Sequence, residues 1–319
     1  MTSLTMNERA RELADVMAED TTGLRVAVQT LPGGARVIDA GVTVDGGYNA
    51  GLLLSEICMG GLGDVDYATL TLGGGSWPGV QVRTDHPAES CMASQYAGWA
   101  INVGKYFAMG SGPLRAHARV EKELFEKLKY EEQASCGVLV LECRQLPTDE
   151  VATYVAGKAK LSPAQLTFVV APTASLAGGT QISARILETG LHKMETLGFD
   201  VRKVVSGIGT APIPTLAKND LRGIGRTNDC ILYGGQAHYV IRADDTELAA
   251  LAAKMPASAS KDYGTPFYEI FERYEKDFYK IDPLLFSPAE VWLTSATSGR
   301  SFHAGGVNVE VLKQSLFPE

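Results

Sequence analysis

The residues best placed to do chemistry are Arg185 and Glu188, with His192 one turn further on, in the apolar-periodic stretch 181–197. At ~100° per residue, Ile182, Ile186, Leu187, Leu191, Met194 and Leu197 fall on one half of that helix. Arg185, Glu188 and His192 gather near the opposite side. Residues three apart are neighbours on a helix, so the guanidinium and the carboxylate can touch. By periodicity alone this reads as an exposed surface pair worth ~0.3–0.5 kcal/mol. Proton transfer by Glu188 requires instead that the polar face look into a cleft. There, burial and the arginine would compete over the carboxyl's pKa.

The glycine clusters are the second place where chemistry could sit. Gly110-Ser111-Gly112 and Gly178-Gly179 each precede helix-like sequence, and such loops either present backbone N–H groups to an anion or form ordinary turns. Neither matches a nucleotide fingerprint. Gly207-x-Gly209 has Pro212 where a third glycine belongs, and Gly110-Ser111-Gly112 lacks the lysine that a phosphate loop needs. Two further stretches, Arg226–Asp229 and Ser258–Gly264, are dense in hydrogen-bonding groups, which suits caps and turns as well as a polar ligand. The five cysteines are odd in number and dispersed, which fits reduced thiols in a cytoplasmic protein. Neither they nor the five histidines have metal-binding spacing, so no metal is expected.

The elements that must position these groups follow from composition and pattern. The chain has 319 residues, 45% of them hydrophobic, and a net charge of −8, which excludes a disordered chain and a basic nucleic-acid-binding surface. Glycine is the outlier, at 34 residues against a usual ~7%. Thr5 and Glu8 have capping-box form at the start of an amphipathic helix. A hairpin is expected over 24–44, a helix over 48–59, strands near 67–72 and 80–84, and a helix over 87–103. Residues 105–115 read as a loop. A charged helix over 121–129, a strand at 137–142, a helix over 148–159 and a strand at 166–171 come next. After the helix over 181–197 come a strand at 201–206, a loop at 207–214, a strand at 230–241, helices over 245–254 and 265–278, and a closing β-β-α unit. Strands and helices alternate without βαβ regularity, so the fold class is α+β, or mixed α/β. Two domains are expected, 1–155 and 156–319, with halves able to exchange segments.

Several segments resemble the methenyltetrahydromethanopterin cyclohydrolase family. They are Val103–Pro113 (VGKYFAMGSGP), Val170–Ser175, Gln181–Ser183 with Arg185 and Glu188–Gly190, and Thr227–Asp229 with Leu232–Gly235. Ala259–Gly264 and Asp277–Asp282 complete the set, in order along nearly the whole chain. The resemblance implies two α/β domains with a pterin-binding cleft between them and a homo-oligomer, a trimer in the archaeal members. It implies no metal or prosthetic group, the carrier pterin being the substrate. It also implies that the helix bearing Arg185 and Glu188 faces the cleft, which reverses the reading from periodicity.

The implied reaction interconverts the cyclic methenyl cation of tetrahydromethanopterin with its 5-formyl derivative by adding water. Such an amidinium carbon is already electrophilic, so the protein need only place and deprotonate one water. Glu188 is the expected general base, which later returns a proton to the departing nitrogen. Arg185 would orient it and hold it ionised near neutral pH. Lys105, Ser111, Ser175, Asn228 and Asp229, with Lys261 and Tyr263, are candidates for contacts to the pterin or its tail. The segment Gln236–Tyr239 and the modest acidity lean toward the methylotrophic bacterial branch, where the reaction serves formaldehyde oxidation rather than methanogenesis. Competing readings are a non-catalytic pterin or nucleotide carrier and, without a phosphate motif, a phosphoryl-transfer enzyme.

Overall fold

The computed structural model describes residues 5–317. Its regular elements begin with α1 (Met6–Glu19), α2 (Thr21–Leu24), β1 (Ala27–Thr30), β2 (Arg36–Asp39), α3 (Tyr48–Cys58), β3 (Asp64–Leu72) and β4 (Gly75–Thr84). A π-helical segment, Ala88–Gln95, leads to β5 (Trp99–Val103), β6 (Tyr106–Ser111), α4 (Leu114–Ala118), α5 (Lys122–Leu128), β7 (Gly137–Glu142) and α6 (Asp149–Ala159). Next are β8 (Leu166–Ala171), α7 (Leu176–Ser183), α8 (Ile186–Thr196), β9 (Val204–Pro212), α9 (Asp220–Gly234) and β10 (Gln236–Ile241). The chain closes with α10 (Asp245–Ala252), α11 (Phe267–Arg273), β11 (Glu290–Ser295), β12 (Ser301–Gly305) and α12 (Val309–Leu316). The α+β class is as expected.

Two compact units result, Met1–Asp64 with Glu89–Gln181, and Val65–Ala88 with Ile182–Glu319. This is not a single cut between residues 155 and 156. β8 lies between β2 and β7 and is parallel to both, so such a cut would tear the middle from the first sheet. The hairpin β3–β4 joins the second sheet instead, where β4 pairs antiparallel with β9.

The first unit carries a six-stranded sheet in the order β1-β2-β8-β7-β6-β5. Its centre is the parallel set β2, β8 and β7, and the near-continuous apolar runs of β7 and β8 are buried on both faces, as such strands must be. On one face Ala10, Ala14 and Met17 of α1 and Ala50, Leu54 and Ile57 of α3 pack on Ile38, Val138 and Val169. On the other, Val151, Ala152, Val155 and Ala159 of α6 cover Val37, Leu139, Phe168 and Val170. The capping box is present: Glu8 N–H donates to Thr5 Oγ1 at 3.2 Å, and Thr5 N–H to the Glu8 carboxylate at 2.9 Å.

The second unit carries the sheet β12-β11-β10-β9-β4-β3. β10 alternates buried Ala237, Tyr239 and Ile241 with exposed His238 and Val240, the pattern of a sheet with one covered face. α8 and α9 pack on β9. A second apolar cluster joins α9, α11 and α12 through Leu232, Tyr233, Phe267, Ile270 and Leu312. No helix among the described residues is long and apolar enough to cross a membrane.

Candidate active site

Residues 181–197 do not form one helix. α7 ends at Ser183, and Arg185, at φ −77° and ψ 6°, stands in the break before α8. Ser183 Oγ donates to Pro212 O at 2.8 Å, tying the end of α7 to the end of β9. Glu188 is the third residue of α8, where the unpaired N–H groups of a first turn favour a carboxylate. Arg185 Nη1 lies 3.9 Å from Glu188 Oε2, and the two side chains are only 9% and 8% exposed. The exposed-pair reading from periodicity therefore fails. At 3.9 Å the groups are neighbours rather than a bidentate clamp, whose bonds would run near 2.8 Å. The carboxylate thus has a guanidinium and a helix N-terminus beside it, both favourable neighbours for a negative charge.

The segment expected to be a loop, 105–115, is mostly strand β6. Lys105 is exposed in the β5–β6 turn and Ser111 is buried at the far end of that strand, so the two stand about 20 Å apart at ~3.3 Å per residue. Ser111 Oγ sits 3.2 Å from Cys58 Sγ, which also accepts from Gln181 Nε2 at 3.4 Å. With Ser94 Oγ donating to Cys58 O at 2.7 Å, these groups form a buried polar knot. Gly112 has a φ of +99°, and its N–H donates to Ser94 O at 2.8 Å. Gly112→Ala should thus cost about 1–2 kcal/mol of stability through backbone strain. Its Michaelis constant should stay within twofold, as thermal melts and initial rates would show. A loop shaped around a ligand would give the opposite split.

Ser175 opens α7: its Oγ donates to Pro172 O at 2.7 Å and accepts from Gly178 N–H at 3.0 Å. It stands beyond the carboxyl end of β8, next to that of β2, a usual place for ligands in sheets of this kind. Sequence reasoning missed the polar groups gathered there. The Asp39 carboxylate accepts from the N–H groups of Gly41, Val42 and Thr43 at 2.6–2.9 Å, and Thr173 Oγ1 donates to Glu142. Lys105 shares this end, because β6 runs antiparallel to β7. The only signal available was the position of Asp39, Glu142 and Thr173 at or just past strand ends.

Asn228 and Asp229 are not in a loop before a strand. α9 continues to Gly234 and the strand begins at Gln236, because Cys230, Leu232 and Tyr233 bury themselves against α11 and α12. Asn228 Nδ2 donates to Ile224 O one turn back at 2.8 Å. Asp229, wholly buried, accepts from the Phe267 N–H at 2.7 Å and from Ser315 Oγ. Burial pushes its carboxyl up to about 7 against those hydrogen bonds. Lys261 is exposed, and Tyr263 packs on Tyr233 with ring centroids 5.0 Å apart. Their neighbours knit two recognisable segments together: Ser260 Oγ donates to Asp282 at 2.7 Å, and Asp282 N–H to Asp262 at 3.0 Å. Nearby, buried Lys193 of α8 donates to Leu284 O, and burial pushes its ammonium down to about 8.

Of the nine candidates, Arg185 meets Glu188, and Lys105 and Ser175 share one sheet end. Asn228, Asp229 and Tyr263 belong to the helical layer of the second unit, and Lys261 lies exposed beside Tyr263. Among the described residues no group of three or more His, Cys, Asp or Glu side chains could hold a metal ion.

The family model described as Cyclohydrolase (MCH) matches residues 5–316. The methenyltetrahydromethanopterin cyclohydrolase of Methylobacillus flagellatus is 46% identical over 312 residues, 98% of this chain and 95% of the relative. The proteins of the same name from Methanocaldococcus jannaschii and Methanosarcina barkeri are 44% and 42% identical, each over 98% of both chains. A match that runs from α1 through α12 takes in both units and every segment around Arg185 and Glu188, so the chain belongs to the MCH cyclohydrolase family.

Proposed function

We propose that this enzyme is a methenyltetrahydromethanopterin cyclohydrolase and that Glu188 is its general base. Water adds to the methenyl carbon as it gives a proton to Glu188, and a neutral hydroxy adduct forms. The carbon–nitrogen bond then breaks while the adduct hydroxyl loses its proton and the departing nitrogen gains one from Glu188. The formyl group stays on the other nitrogen, and one proton is released overall. The observation that carries this reading is the buried Arg185–Glu188 pair in the first turn of α8. Arg185 offsets the carboxylate charge, so the site does not trap the cationic ring by net charge alone.

We take Lys105 and Ser175, which share the end of the first sheet that carries Asp39 and Thr173, as contacts to the pterin tail. The same reading makes the enzyme a cytoplasmic homo-oligomer, a trimer in the manner of archaeal members. It works on a diffusible pterin without a prosthetic group, in formaldehyde oxidation or in methanogenesis. Stopped-flow absorbance with methenyl-tetrahydromethanopterin and methenyl-tetrahydrofolate side by side tests it. Hydrolysis of the first should exceed background by at least about 10²-fold, the scale of general-base catalysis. Tight binding with no rate above background would mean a carrier instead.

A further inference from the structure

We infer that Tyr239 is a positioning residue, which with a seat lined by Gly207 and Gly209 of β9 and by Gly235 just before β10 fixes the first turn of α8 and through it the Glu188 carboxylate. This inference rests on the role proposed for Glu188. Tyr239 lies on the covered face of β10, 1% exposed, and its hydroxyl donates to Leu187 O at 2.9 Å. Leu187 directly precedes Glu188. A helical carbonyl keeps a second lone pair beside its i+4 bond, and the phenol takes it, so the turn is tied to the sheet by main chain as well as side chains.

The glycines around this bond have one physical reason in common. A Cβ on Gly190 would stand 2.0 Å from Tyr239 Oη, and one on Gly235 2.4 Å from Ile186 Cδ1. On Gly209 it would stand 3.1 Å from Ile186 and Leu187 side-chain atoms, and on Gly207 3.3 Å from Leu187. None of the four is among the glycines with positive φ, so backbone freedom does not account for them. Each is glycine because Tyr239 or the first turn of α8 fills the space. The break at Arg185 would otherwise leave that turn free to rotate about its axis. A rotation of α8 would swing Glu188 away from the attacking water, and a misplacement of about 1 Å can cost on the order of 10² in rate.

Tyr239→Phe removes the hydroxyl and keeps the ring, so the fold should survive. We expect kcat for methenyl-tetrahydromethanopterin hydrolysis to fall about tenfold, with KM within twofold and the melting temperature within a few degrees. In a Glu188→Gln background, Tyr239→Phe should lower the remaining rate no further, because Tyr239 acts through Glu188. Wild-type kcat in Tyr239→Phe while Glu188→Gln alone is inactive would overturn the positioning role and leave the base assignment standing. A tenfold loss that multiplies with that of Glu188→Gln would also overturn it, since Tyr239 would then act elsewhere. Full activity in Glu188→Gln alone would remove the base assignment, and the positioning role with it.

Discussion

Glu188→Gln is expected to lower kcat by between about 10² and 10⁴, the range over which a positioned general base works. The side chain keeps its size and one acceptor oxygen, so Arg185 keeps a neighbour and the first turn of α8 its packing. What is lost is the group that takes the proton from water and hands it to the departing nitrogen. KM should change far less than kcat, because the carboxylate acts on the attacking water rather than gripping the pterin. A melting temperature near that of the wild type, together with single-turnover rates, separates this outcome from unfolding. Full turnover in the variant would remove Glu188 from the mechanism.

Asp229→Asn is expected to change stability in a way that depends on pH. The native carboxyl titrates near 7 because burial disfavours its charged form, the bonds from Ser315 and Phe267 oppose that shift, and the charge of Glu269 adds to it. In the unfolded chain it titrates near 3.9. The folded value is the higher one, so the native state holds this proton more tightly. The stabilisation is fully present below pH ~4 and is lost as the pH rises through about 7. A shift of about three units corresponds to on the order of 4 kcal/mol. Asparagine keeps the acceptor for the Phe267 N–H and cannot ionise. Urea unfolding at intervals from pH 4 to pH 8 should therefore show the variant gaining on the wild type by that order as pH rises. Parallel curves would sink the assignment of a buried, titrating Asp229. A loss of turnover with parallel curves would return this residue to the pterin.

Much of the local structure was legible from pattern. β7, β8 and α6 fall within a residue of expectation because near-continuous apolar runs and a Thr148 cap leave few alternatives. β6 was missed because Gly110, Ser111 and Gly112 carry loop chemistry, yet cross-strand pairing with β5 and β7 absorbs the first two into a strand. α9 was missed and its last turn read as the start of a strand, because Ile231, Leu232 and Tyr233 favour strands in isolation, and only contact with α11 and α12 makes helix the better burial.

The residue types and the spacing of three determined that Arg185 and Glu188 could meet, and the ordered segments from Val103 to Asp282 determined the family. Whether that pair lay in water or under cover was a tertiary decision. A helical period sorts residues only relative to an unbroken axis. The break at Arg185 restarts the helix, and Gly207, Gly209 and Gly235 then let the new first turn press onto the sheet. Burial of a polar face depends on what packs around it, and no count along one helix contains that.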